Sequence, residues 1–166
     1  MTARDDAFRQ HFSRALGWGE AHLTFEDAVA RIPAKLRGKR PHGFEHSPWE
    51  LLEHIRLAQR DLLDFCTNPD YVAGAWPDDY WPKGAAPPSA SSWKKSVAAV
   101  AADRKALEEF IARVPDLTAA IPHAGEKSYL RSVLLVLDHN AYHVGQLVMA
   151  GKLLGRPVTM NPSARI

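Results

Sequence analysis

With 166 residues, 46% of them hydrophobic and 24% charged, the chain has the length and composition of one globular domain spanning 1–166, which excludes a disordered protein. The formal net charge is only +2, and the densest basic stretch, Lys35-Leu36-Arg37-Gly38-Lys39-Arg40, reads as a short solvated loop, so no nucleic-acid partner is expected. The chain lacks an apolar window of the roughly 18 residues a membrane span needs. It also lacks the apolar stretch of a signal peptide after its first charges and has one cysteine, Cys66, so no intrachain disulfide forms and a cytoplasmic location is expected.

Four helical segments and no strand are predicted. The first runs from about Asp6 to Arg31, where Phe8, Phe12, Ala15, His22, Leu23 and Val29 recur at helical spacing until Pro33 ends the pattern. The second has the clearest start in the chain. Ser47-Pro48-Trp49-Glu50 reads as a capping box, with Ser at N-cap, Pro at N1 and Glu at N3. It continues to about Thr67 before Asn68-Pro69, with Leu51, Ile55, Ala58, Leu62 and Phe65 as its apolar stripe.

Residues 69–91 form a long irregular segment with Pro69, Pro77, Pro82, Pro87 and Pro88 and the aromatics Trp76, Tyr80 and Trp81. Such a loop in a compact domain is a crossover or a functional element. Its aromatics either cap one end of a bundle or form a lid over a site. The third helix is predicted from about Ser92 to Val114, closed by Pro115. The fourth runs from about Ser128 to Leu154, with Gly155 at C′ and Pro157 beyond. Four long amphipathic helices bury their stripes against one another, so the expected fold is an all-α four-helix bundle.

The chemistry is concentrated in His139-Asn140-Ala141-Tyr142-His143, two histidines at i and i+4 on one helical face. The general-base glutamate of an H-E-x-x-H peptidase is missing between them, which argues against peptidase chemistry. Arg131, Asp138, Gly145 and Lys152 share a meridian that reads as the solvent face, so His143 falls among Val136, Leu147 and Leu154, and His139 on one flank of that sector. Buried imidazoles need partners. His54, at the edge of the second helix's stripe, is the best third ligand, and three imidazoles with an open position describe a catalytic-type metal site. The bland alternative for each is a hydrogen-bonded core histidine. Imidazole suits several metals, so identity does not follow from the ligands.

Around this trio, His22 on the first helix and His123 before the fourth are pocket candidates, and so is Asp61, two turns from His54; no acid clearly serves as a general base, and the reach of Asp61 is what keeps hydrolysis open. Asn140 and Tyr142 are candidates to support the ligands, whereas His11, His42 and His46 read as surface or core residues and Cys66 as a packed thiol.

The segments Trp49-Glu50-Leu51-Leu52-Glu53-His54-Ile55 and Asp138-His139-Asn140-Ala141-Tyr142-His143-Val144-Gly145-Gln146 resemble the second-helix and last-helix motifs of the DinB-like family of damage-inducible bundles related to thiol-dependent S-transferases. The resemblance extends from Trp18-Gly19-Glu20-Ala21-His22 to Leu154. It implies a four-helix bundle with crossover connections, a nickel, zinc or iron ion on His54, His139 and His143, and often a homodimer. It also implies transfer of a low-molecular-weight thiol such as bacillithiol, mycothiol or glutathione to an electrophilic small molecule. Alternatives are a non-catalytic metal-binding stress-response bundle and a metal-water hydrolase of a small ester or amide.

Overall fold

The computed structural model describes residues 3–17, 19 and 22–155. Among them are five α-helices, one isolated antiparallel bridge between Ala120 and Ser128, and no strand. The helices are α1 (Ala3–Ala15), α2 (Phe25–Ala30), α3 (Pro48–Thr67), α4 (Ala90–Arg113) and α5 (Tyr129–Leu153).

The expected first helix is two helices. The pattern breaks at Gly17 and Gly19, where helix is entropically disfavoured. It restarts at Thr24, whose hydroxyl caps the Asp27 amide at 3.1 Å. The face of α1 is also not the one expected. Phe8 is 48% exposed, while Arg9 is buried and donates to the carbonyls of Ile111 and Pro115 at the end of α4. A cation is favoured there by the unpaired carbonyls of a helix C-terminus. His22 therefore lies in the α1–α2 connection instead of on a helix face.

α3 begins as expected. Ser47 accepts from the Glu50 amide at 3.2 Å, and the Glu50 carboxylate accepts from the Ser47 amide at 2.8 Å. Arg40 donates to that same carboxylate at 2.9 Å, so the basic loop is tied to the helix start. Arg37 of this loop covers the Trp93 ring at 4.4 Å.

α4 starts two residues earlier than predicted. Of three serines able to cap, Ser89 does so, accepting from the Ser92 amide at 3.1 Å immediately after Pro87-Pro88. α5 is capped by Ser128 and closes at Gly155, whose φ of 80° needs a residue without Cβ strain. Pro157 lies outside the described residues.

α3 is the central helix and packs on both α4 and α5, while α1 lies on α4 and α2 on α5. Leu51, Leu52 and Ile55 of α3 are fully buried with Val100 of α4 and Val144 and Leu147 of α5. The α3–α4 connection is held down at its far end. Ser47 donates to the Ala85 carbonyl at 2.5 Å, and Ala86 sits so close to Gly38 that a Cβ there would lie 2.4 Å from its methyl. The loop thus lies against the start of α3, on the side where His54 emerges.

Candidate metal centre

The α3–α5 seam brings three histidines together. His54 comes from the second turn of α3, and His139 and His143 from successive turns of α5. Their ring centroids are 4.4 to 4.9 Å apart, and His54 Nε2 lies 3.1 Å from His139 Nε2. One ligand atom from each falls within 4.8 Å of the others. Tetrahedral bonds of about 2.0–2.1 Å separate imidazole nitrogens by about 3.3 Å, within the observed spread. No carboxylate or thiol joins the cluster among the described residues.

The outward nitrogens explain the convergence. His54 Nδ1 donates to the Tyr80 carbonyl at 2.7 Å, and a carbonyl only accepts, so the lone pair of His54 is on Nε2. His143 Nδ1 donates to Gln146 Oε1 at 2.7 Å, and His139 turns Nδ1 toward Asn140 Oδ1 at 3.5 Å. Oxygen acceptors on the far nitrogen are the usual way a ligand imidazole is oriented. Asn140 is itself fixed, donating to Gln59 Oε1 at 2.7 Å, while Gln59 donates to the Val100 carbonyl at 2.8 Å.

Electrostatics keep the trio neutral. Burial lowers all three imidazoles. His143, which also faces His139 and His54, is pushed down to about 4. Neutral imidazole is the ligating form. The cluster is thus compatible with metal binding in both geometry and protonation.

The loop forms one wall. Trp81 stacks on His54 with centroids 3.9 Å apart, and His46 stacks on the other face of Trp81 at 4.0 Å. Trp76 meets His54 edge-on at 6.4 Å while remaining 71% exposed. On the α5 side, Tyr142 is 63% exposed and turns an edge to His143 at 4.9 Å.

The other candidates fall elsewhere. Asp61 does not point into the cluster; its Oδ1 accepts from the Tyr71 hydroxyl at 2.8 Å. His123 is exposed and packs on Phe65 and Tyr71. His22 is exposed, donates from Nδ1 to the Leu23 carbonyl, and borders a cavity of about 60 Å³ walled in part by Gln59 and Asn140. Cys66 is buried, and burial pushes its thiol up.

Sequence reasoning missed Gln59, Gln146 and the half-buried His46, and it named Tyr80 and Trp81 only among the loop aromatics that cap the bundle or form a lid. Gln59 had a signal, a polar residue beside Ala58 on an apolar stripe, and so did Gln146, one turn from His143. The Tyr80 carbonyl had none, because a main-chain oxygen is the same at every residue.

The family model of the DinB superfamily matches residues 19–147. The chain belongs to the DinB superfamily. The matched span holds α2, α3, α4, the long loop and all three histidines of this DinB-superfamily bundle, and α1 lies before it. No curated protein and no solved structure matches the chain significantly.

Proposed function

We propose that His54, His139 and His143 hold one divalent ion, nickel, zinc or iron, and that the protein transfers a low-molecular-weight thiol to an electrophilic small molecule. The observation that carries this reading is the set of three facing imidazoles, each with an oxygen acceptor at Nδ1. Three neutral ligands leave the ion its full charge and a coordination position for a small ligand. When bound, such an ion supplies Lewis acidity that keeps a thiol as thiolate near neutral pH, against an ordinary thiol pKa of about 8.5.

The chain's own residues bind and orient. Trp81 closes the His54 face to water, and Tyr142 stands at the exposed side, where an electrophile approaches. In the reaction the thiol sulfur forms a bond to carbon, the leaving group departs with its electron pair, and the thiol proton goes to solvent. Hydrolysis is the weaker reading, because Asp61 is engaged by Tyr71.

No described helix is long and apolar enough to cross a membrane. A cytoplasmic location fits the one, buried cysteine. A homodimer is supported by the outer face of α5, where Leu134, Met149 and Leu153 are 47%, 48% and 54% exposed.

The test is metal content and thiol binding. Purified protein takes up about one ion per chain, and His143→Ala abolishes uptake with helical content intact. In the cobalt form, bacillithiol, mycothiol, glutathione or cysteine produces a thiolate-to-metal charge-transfer band that His139→Ala removes. Full loading of a His54→Ala, His139→Ala double variant refutes the metal assignment. Ester hydrolysis without any thiol band favours the hydrolase, and neither activity leaves a non-catalytic binding bundle.

A further inference from the structure

The hydrogen bond that orients His54 ends on a main-chain oxygen, that of Tyr80. No side chain at position 80 selects that bond directly. Its geometry depends on what holds the loop. The Tyr80 phenol lies within electrostatic reach of Tyr71 and Asp61, the pair that anchors the start of the loop. Tyr71 in turn donates to Asp61 Oδ1 at 2.8 Å. Its ring is braced edge-on by Phe65 at 5.1 Å, which leaves the hydroxyl little freedom. Burial and the Asp61 carboxylate push the Tyr71 phenol up, so it stays protonated and a donor.

Asp61 and His54 are seven residues apart on α3, which at about 100° per residue places them within about 20° of one meridian. One helix face thus carries both a histidine of the cluster and, two turns on, the carboxylate that anchors the loop covering it.

We propose that Asp61 and Tyr71 are positioning residues of the histidine cluster: they clamp the 69–91 loop along α3, hold the Tyr80 carbonyl on His54 Nδ1, and so aim His54 Nε2 at the ion. This rests on the metal reading above. It gives Asp61 a task other than proton transfer and accounts for a tyrosine of the loop donating to a carboxylate beside the site. It also makes metal affinity depend on residues that never touch the metal, as is general for groups behind ligand histidines.

The experiment uses three variants of the full chain. Tyr71→Phe keeps the ring packing and removes the hydroxyl, Asp61→Ala removes the acceptor, and Asp61→Asn keeps an oxygen to accept. Nitrogen NMR of the histidine rings in metal-free protein reads the His54 tautomer. Nδ1–H dominates in the parent and in Asp61→Asn, and gives way to a tautomer mixture in Tyr71→Phe and Asp61→Ala. Cobalt titration of the same proteins shows an affinity loss of about tenfold in those two, the low end for outer partners of ligand histidines, with unchanged helical content. A parent-like tautomer and parent-like cobalt affinity in Tyr71→Phe overturn the proposal. So does a lowered melting temperature with the tautomer unmoved, which marks a purely structural contact. If the parent takes up no cobalt, the metal reading fails, and the tautomer comparison still decides the clamp.

Discussion

Acidification from pH 7.5 to pH 5 destabilises the metal-free protein by about 2 kcal/mol through His143 alone. The folded imidazole sits at about 4, against an ordinary value of 6.5, first because burial strips water from its charged form and then because His139 and His54 lie beside it. In the unfolded chain the same group takes up its proton as the pH passes 6.5. Between 6.5 and 4 the unfolded state therefore binds more protons, so stability is full above 6.5 and is lost as the pH falls toward 4. At about 1.36 kcal/mol per unit, integration over this window gives the figure above. His54 and His139, also lowered by burial, add to it with the same sign.

For a chain of this size the change corresponds to a drop in melting temperature of about 4–8 °C. The assay is thermal unfolding of chelator-treated protein at both pH values, stopping at pH 5 because carboxylates titrate below it. His143→Gln, which cannot take up the proton, flattens the slope. The reasoning is refuted if His143→Gln and the parent lose the same melting temperature on acidification.

Three further outcomes are expected. Chelator at pH 7.5 leaves a folded bundle, because Leu51, Leu52, Ile55, Leu107, Ile111 and Leu147 are buried without help from any ion; loss of the far-ultraviolet helical signal makes the metal structural. Gln59→Ala, which deserts the Asn140 amide and the Val100 carbonyl in a site where Gln59 is 1% exposed, costs about 2–3 kcal/mol in urea unfolding, and a cost below about 0.5 kcal/mol shows that water replaces the bonds. Sedimentation at micromolar concentration yields a dimer that Met149→Lys weakens, whereas monomer alone at that concentration refutes the dimer.

Local signals carried most of the architecture. The capping box at Ser47 and Glu50 and the Gly155 C′ position act within one turn of their own helix, so they read directly from the chain. The same holds for the His139/His143 pair, because a helix places i and i+4 together whatever surrounds it. His54 was legible as the best third ligand from its place on an apolar edge and from the resemblance of its motif, but its meeting with the pair depends on α3 packing on α5.

Where apolar periodicity ran on past Gly17 and Gly19, these glycines and the Thr24 cap, local signals too, end one helix and start another, which leaves His22 in the connection. Tertiary structure decided the rest. Arg9 was buried because the end of α4 offered it carbonyls, a partner about a hundred residues away in the chain. Asp61 faces the side of α3 that carries His54, as its spacing requires, yet the folded loop met it first, and its carboxylate accepts from Tyr71 instead of entering the pocket. Helix starts and stops are set by neighbours in sequence. The partner of a buried polar group is set by whichever distant segment the packing delivers to it, and that is a property of the folded chain alone.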